Sequence, residues 1–113
     1  MAKWIKICDL SALPEGGSRG FSVTTSTGVT GIFLVHKAGK VHGYLNQCPH
    51  TGGPLDWVPD QFLDLDRSWI QCATHDALFR IDSGLCVAGP CSGQSLVSIE
   101  LVLDGDSVCM RDL

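Results

Sequence analysis

Cys48-Pro49-His50-Thr51-Gly52-Gly53-Pro54-Leu55 and, further along, Cys72-Ala73-Thr74-His75 each place a thiol and an imidazole in one short stretch. Cys48 and His50 stand two apart, Cys72 and His75 three apart. A thiolate pair can hold one iron of a [2Fe–2S] cluster while an imidazole pair holds the other. In that reading Cys48 and Cys72 share one iron, His50 and His75 share the other, and the chain carries one cluster. Sulfur suits the more oxidised iron, and neutral imidazole leaves less negative charge on the cluster than further thiolates. Two Cys and two His equally make a zinc tetrahedron. A third reading makes them unrelated core cysteines and loop histidines.

The flanking sequence reads as β-structure throughout. Lys40 to Leu45 is a strand that leads through Asn46 and Gln47 into the first box, and Ser68 to Gln71 is a strand that delivers Cys72. A rigid strand feeding a ligand loop is what a preorganised metal site needs. Gly52, Gly53 and Pro54 let backbone amides approach cluster sulfurs closely, although the same residues also mark an ordinary surface turn. Trp4 to Cys8 alternates at period two and opens the chain as a half-buried strand, which Pro14-Glu15-Gly16-Gly17 ends. Phe21 to Thr25 and Val29 to His36 are further strands, the latter joined to Lys40 to Leu45 by the hairpin signal Lys37-Ala38-Gly39. Leu78 to Asp82 and Leu85 to Ala88 form a hairpin around Ser83-Gly84. Leu96 to Leu103 and Val108 to Arg111 pair across Asp104-Gly105-Asp106, with Val97, Ile99, Leu101 and Leu103 expected along one side. No long helical pattern, internal repeat or low-complexity segment is present, so the fold class is all-β.

Between the boxes runs a spacer with Asp56, Asp60, Asp64 and Asp66 ahead of Arg67. Its Phe62 and Leu65 are expected to tuck beneath the loop, since exposed large apolar groups are the exception. Trp57 and Leu63 share that choice between tucking and a contact patch.

At 113 residues the chain has the length of one domain, 1–113, that buries about two thirds of its unfolded surface. Hydrophobic residues at 44%, charged residues at 18% and 13 glycines suit a globular protein with many turns. A formal net charge of −4 and the lack of a basic run argue against nucleic acid and for a basic protein partner. No apolar run approaches a membrane span, and Met1 to Pro14 lacks the apolar core of a secretory signal. The 6 cysteines are then expected as thiols and ligands in a reducing, cytoplasmic setting. Cys8 and Cys109 read as buried thiols of terminal strands. Cys86 and Cys91 flank a third loop, where the thiol reading is preferred to a disulfide. His36 and His42 read as hairpin histidines, not ligands.

At the two boxes the chain resembles the Rieske ferredoxin family. Cys48 to Leu55 is similar to that family's first cluster loop, Cys72 to His75 with Phe79 to its second, and Gly89-Pro90 to its third, proline-containing loop. The resemblance implies an antiparallel β-sandwich with a small cluster-binding subdomain inserted at about 46–91, and a [2Fe–2S] cluster held by Cys48, His50, Cys72 and His75. It further implies a soluble electron carrier without catalysis of its own, taking electrons from a flavin-containing reductase and passing them to the terminal oxygenase of a dioxygenase. The outer imidazole nitrogens of His50 and His75 are the expected exit for the electron and make the potential depend on pH in the alkaline range. Asp56, Asp60, Asp64, Asp66 and Asp76 are then candidates for steering a basic partner, or simply a solvated acidic loop. A small non-catalytic subunit resembling that of nitrite reductase and a zinc-bound interaction module are the alternatives.

The departures are specific. The Thr51 to Gln71 spacer is long, Ala73 replaces the usual proline and Asp76 the usual glycine. No cysteine is available for the disulfide that joins the cluster loops of respiratory relatives. Ala77 and Phe79 stand where those relatives carry hydroxyl donors to the sulfurs. Fewer hydrogen bonds to sulfur predict a low potential.

Overall fold

Ile32, Phe33, Leu34 and Val35 form a run of fully buried residues within strand β3, Gly28–Lys37. Side chains alternate along a strand, so Ile32 and Leu34 face one way and Phe33 and Val35 the other. Both faces of β3 are therefore covered. The computed structural model describes residues 4–47, 55, 62–64, 68–72, 77–89 and 92–112. β2, Gly17–Thr25, and β4, Lys40–Leu45, flank β3 as antiparallel neighbours in the order β2-β3-β4. The β3–β4 turn is the expected one: Lys37 pairs with Lys40, and Ala38 and Gly39 take φ of 54° and 75°. Positive φ at both central residues is what a type I′ hairpin requires.

Each face of this sheet packs against another. β1, Trp4–Asp9, pairs with β9, Ser107–Arg111, which pairs with β8, Leu101–Asp104. Val108 and Met110 of that sheet meet Val23, Ile32 and Leu34 in one core. On the opposite face, Phe33, Val35 and Tyr44 share a second core with the short strands β5, Ile70–Gln71, β6, Leu78–Phe79, and β7, Cys86–Ala88. These three pair in the order β5-β6-β7 and lie in the chain between β4 and β8, as the inserted subdomain predicts. Phe62 is buried and stacks on Phe33 with centroids 4.3 Å apart and planes 7° off parallel. Leu63 is half-buried against the same core, whereas Trp57 and Leu65 lie outside the described residues.

Several elements depart from their expected form. The strand before Cys72 is only Ile70–Gln71, because the Asp64 Oδ1 accepts the Ser68 and Trp69 backbone N–H groups at 2.9 and 3.2 Å and holds them in a turn. β6 ends at Phe79 because the chain turns through Ile81 to Ser83, where the Gly84 N–H reaches the Arg80 carbonyl at 2.8 Å. The single face expected for Val97, Ile99, Leu101 and Leu103 breaks up: Ile99 is buried, Leu101 half-buried, and Val97 and Leu103 are 54% and 48% exposed. Residues 97–99 instead hydrogen-bond to β4, with the Leu45 N–H on the Val97 carbonyl and the Ile99 N–H on the Gly43 carbonyl, and regular pairing with β9 starts only at Leu101. A Cβ at Gly43 would lie 2.8 Å from Ile99 Cγ1, so only glycine admits this crossing. Cys8 and Cys109 are half-buried and not fully enclosed.

Phe62→Ala is expected to lower stability by about 3–5 kcal/mol, the range for deleting a buried aromatic ring, read by denaturant unfolding. A loss under about 1 kcal/mol would mean that the spacer is not anchored through this ring. Tyr44 donates its hydroxyl to the Ile81 carbonyl at 2.6 Å, and burial, with Asp82 nearby, pushes its pKa up to about 12. The neutral phenol is thus the form the fold favours. Its contribution is intact below the ordinary phenol value of 10.0 and is lost as pH rises through about 12. Thermal melts across this window should show a steeper alkaline decline for the native chain than for Tyr44→Phe; parallel curves would clear the phenol.

Candidate metal centre

Cys72 follows β5 directly and is fully buried. Its backbone N–H donates to the Ala77 carbonyl at 2.9 Å, so the stretch from Ala73 to Asp76 is closed at its base between β5 and β6. The preceding Gln71 N–H donates to the Phe62 carbonyl at 2.9 Å, which ties the strand to the end of the acidic spacer. Cys72 shares its core with Leu55, Ala77, Phe79 and Cys86. Apolar packing on this side holds the sulfur away from bulk water.

The third loop begins at the same end of the small sheet, because β7 runs antiparallel to β6 and Ala88 pairs with Leu78. Gly89 lies at φ +102°, and a Cβ there would come 2.8 Å from Ala77 Cα. A side chain at residue 89 would therefore push the third loop off the second. Ser92 returns the chain, its N–H and Oγ both directed to the Gly89 carbonyl at 3.2 and 2.9 Å. Cys86, the thiol on this hairpin, donates from Sγ to the Ala88 carbonyl at 3.2 Å. Cys91 lies outside the described residues.

The first box is bracketed in the same way. The Asn46 N–H donates to the Gly31 carbonyl of β3 at 3.0 Å, and the Asn46 Oδ1 accepts the Leu55 N–H at 2.8 Å. Leu55 is fully buried in the core that holds Cys72. The residues flanking the segment that contains Cys48 and His50 are thus joined, and Leu55 is seated in the core that also holds Cys72. Sequence reading missed Asn46. Its signal was an asparagine one residue ahead of a box-bearing, glycine-rich loop, since Asn side chains bond readily to nearby backbone.

Among the expected ligands the structure places Cys72; Cys48, His50 and His75 lie outside the described residues. The described surroundings fit an iron–sulfur group: a buried thiol at a strand end, loops closed at their bases, and a glycine that keeps the third loop close. Ala77 and Phe79 are both fully buried and carry no hydroxyl. Of the five candidate steering acids only Asp64 is described, and its Oδ1 is engaged by the Ser68 and Trp69 amides, a structural use of the charge.

His36 and His42 sit toward the other end. His36 Nδ1 lies 2.8 Å from the Leu13 carbonyl, and its Nε2 lies 3.0 Å from a Glu15 carboxylate oxygen. His42 is half-buried, and desolvation pushes its pKa below the usual imidazole value. Lys37, Lys40 and Arg80 line a groove of about 500 Å³ together with His42, Trp69 and Asp82, whose carboxylate pairs with the Arg80 guanidinium at 3.1 Å. Lys40 begins β4, Trp69 precedes β5 and Arg80 follows β6, so these cations gather opposite the strand ends that carry the boxes.

Among curated protein sequences, none matches the chain. Among solved structures, the ferredoxin of carbazole 1,9a-dioxygenase from Nocardioides aromaticivorans IC177 superposes with a TM-score of 0.77 at 20% identity, covering 98% of this chain and 99% of that one. The terminal oxygenase of carbazole 1,9a-dioxygenase from Novosphingobium sp. KA1 gives 0.80 at 19% identity over 96% of this chain and 29% of the oxygenase. A complex of reduced oxygenase and oxidized ferredoxin in carbazole 1,9a-dioxygenase gives 0.75 at 20% identity, over 96% of this chain and 92% of that one. At these identities the likeness is one of fold. A family model for the Rieske [2Fe-2S] domain matches residues 3–103, spanning both boxes and the strands that deliver them, and on that match the chain belongs to the Rieske [2Fe–2S] domain family.

Proposed function

We propose that this chain is a soluble, single-domain carrier of single electrons, taking them from a flavin-containing reductase and handing them to a terminal oxygenase. Cys48 and Cys72 are the proposed ligands of one iron, His50 and His75 of the other. Bound there, the cluster supplies outer-sphere electron transfer, since protein ligands and bridging sulfides leave no open position for substrate. The observation that carries the reading is Cys72, a buried thiol closed onto Ala77 at the end of the small sheet where the third loop also begins. The likeness in fold to the ferredoxin of a carbazole dioxygenase supports the carrier role. A reducing, cytoplasmic setting fits the cysteine usage.

Lys37 and Lys40 lie opposite the strand ends that lead to the boxes, and the sequence puts Asp56, Asp60, Asp66 and Asp76 between or beside the boxes. Such a separation orients the carrier with its loops toward a basic partner surface. Ala77 and Phe79 offer no hydroxyl to a sulfur, which supports a low potential.

Anaerobically purified protein is expected to contain about two irons and two sulfides per chain and to give the rhombic resonance of a mixed-ligand cluster after dithionite reduction. Cys72→Ser should lose most of that iron. A colourless protein holding one zinc would overturn the reading. Voltammetry should place the midpoint in the lower half of the roughly −150 to +300 mV Rieske range. Phe79→Tyr should move it upward; a native midpoint already in the upper half would refute the low-potential assignment.

A further inference from the structure

Asn46 is held from two sides. Its own N–H is fixed to the Gly31 carbonyl, on the strand that both cores bury, and its side-chain oxygen reaches forward to the Leu55 N–H at 2.8 Å. Between them lies the whole segment from Gln47 to Pro54, which contains Cys48 and His50. Leu55 is fully buried against the core of Cys72 and Ala77, so its amide has little access to water and needs a protein acceptor. A carboxamide oxygen held half-buried at the end of β4 is that acceptor. The contact ties the strand end ahead of the first box to Leu55 beyond it, and so to the core that holds Cys72.

Resting on the proposed cluster, we infer that Asn46 is a positioning residue for the iron–sulfur centre: its side-chain latch onto Leu55 sets the spacing between the first and second ligand loops. Ligand geometry depends on the shell that supports it, and a loop freed at one end samples more conformations. Asn46→Asp keeps an oxygen acceptor at the same reach. Asn46→Ala removes it, and Asn46→Gln moves it one methylene further out.

The test follows visible absorbance of the reduced holoprotein during iron loss to a ferrous chelator, with resonance line shape and thermal melting on the same samples. Asn46→Ala is expected to lose iron at least about fivefold faster, as leaving the buried Leu55 amide without its acceptor implies, with a broadened resonance, while Asn46→Asp stays within about threefold of the native rate. Should the alanine variant fail to fold, Asn46→Gln is expected to show the faster loss and broadening with a native-like melt. Equal rates and unchanged line shapes in the alanine and glutamine variants overturn the inference, as does an aspartate variant as labile as the alanine one. Native protein that holds no iron overturns the cluster reading and this inference together; iron-replete native protein with insensitive variants overturns this inference alone.

Discussion

The rest of the structure depends on the double-sided burial of β3. Ile32 and Leu34 serve the core shared with the terminal sheet, and Phe33 and Val35 serve the core shared with the small sheet. A strand covered on both faces cannot shift register by one residue without exchanging the two sets of side chains between cores. That constraint fixes β4 beside it through six paired positions, and β4 leads to Asn46 and the first ligand box. The placement of the candidate centre is thus set by packing far from the ligands themselves.

The small sheet could not stand alone. β5 and β6 have two residues each and β7 three, far too little ladder for independent stability. Phe33, Tyr44, Leu55 and Phe62 supply its missing layer. The stacked Phe33 and Phe62 rings bring the end of the long spacer onto the main sheet, and the Phe62 N–H also reaches Ser18 Oγ of β2 at 3.3 Å. The spacer between the boxes is thus anchored at its far end. Long loops are inexpensive in closure entropy once their ends are held.

The three loop bases are closed by different means. Backbone pairing between Cys72 and Ala77 closes the second, the Asn46 side chain closes the first, and Ser92 with Gly93 closes the third. The bases of the second and third loops approach closely at Gly89, where no side chain fits against Ala77. Preorganisation of a redox centre reduces the rearrangement that accompanies a change of charge, and hydrogen-bonded loop bases on short, buried strands provide it.

Much of this was legible in the sequence because it is local. Residue type and spacing at Cys48, His50, Cys72 and His75 carry the proposed ligand chemistry, and Gly39 and Gly105, at φ of 75° and 60°, carry their turns' backbone requirement in the residue itself, whereas the hairpin imposes φ of 54° on Ala38. Alternation predicted β1, and the apolar run of β3 marked it as a strand. What alternation could not decide was which side chains of residues 96–103 meet a partner, because exposure at Val97 and Leu103 depends on where β4 lets go and β9 takes over. Asp64 looked like a surface charge until its amide partners were in place, and Asn46 like a strand end until Leu55 lay 2.8 Å from its oxygen. The sequence by itself determined the candidate ligand types, the glycine turns and the all-β class, for these rest on neighbours along the chain. The tertiary structure alone decided the shared cores, the loop latches and the seating of Leu55 in the core that holds Cys72, for these join residues that only packing brings together.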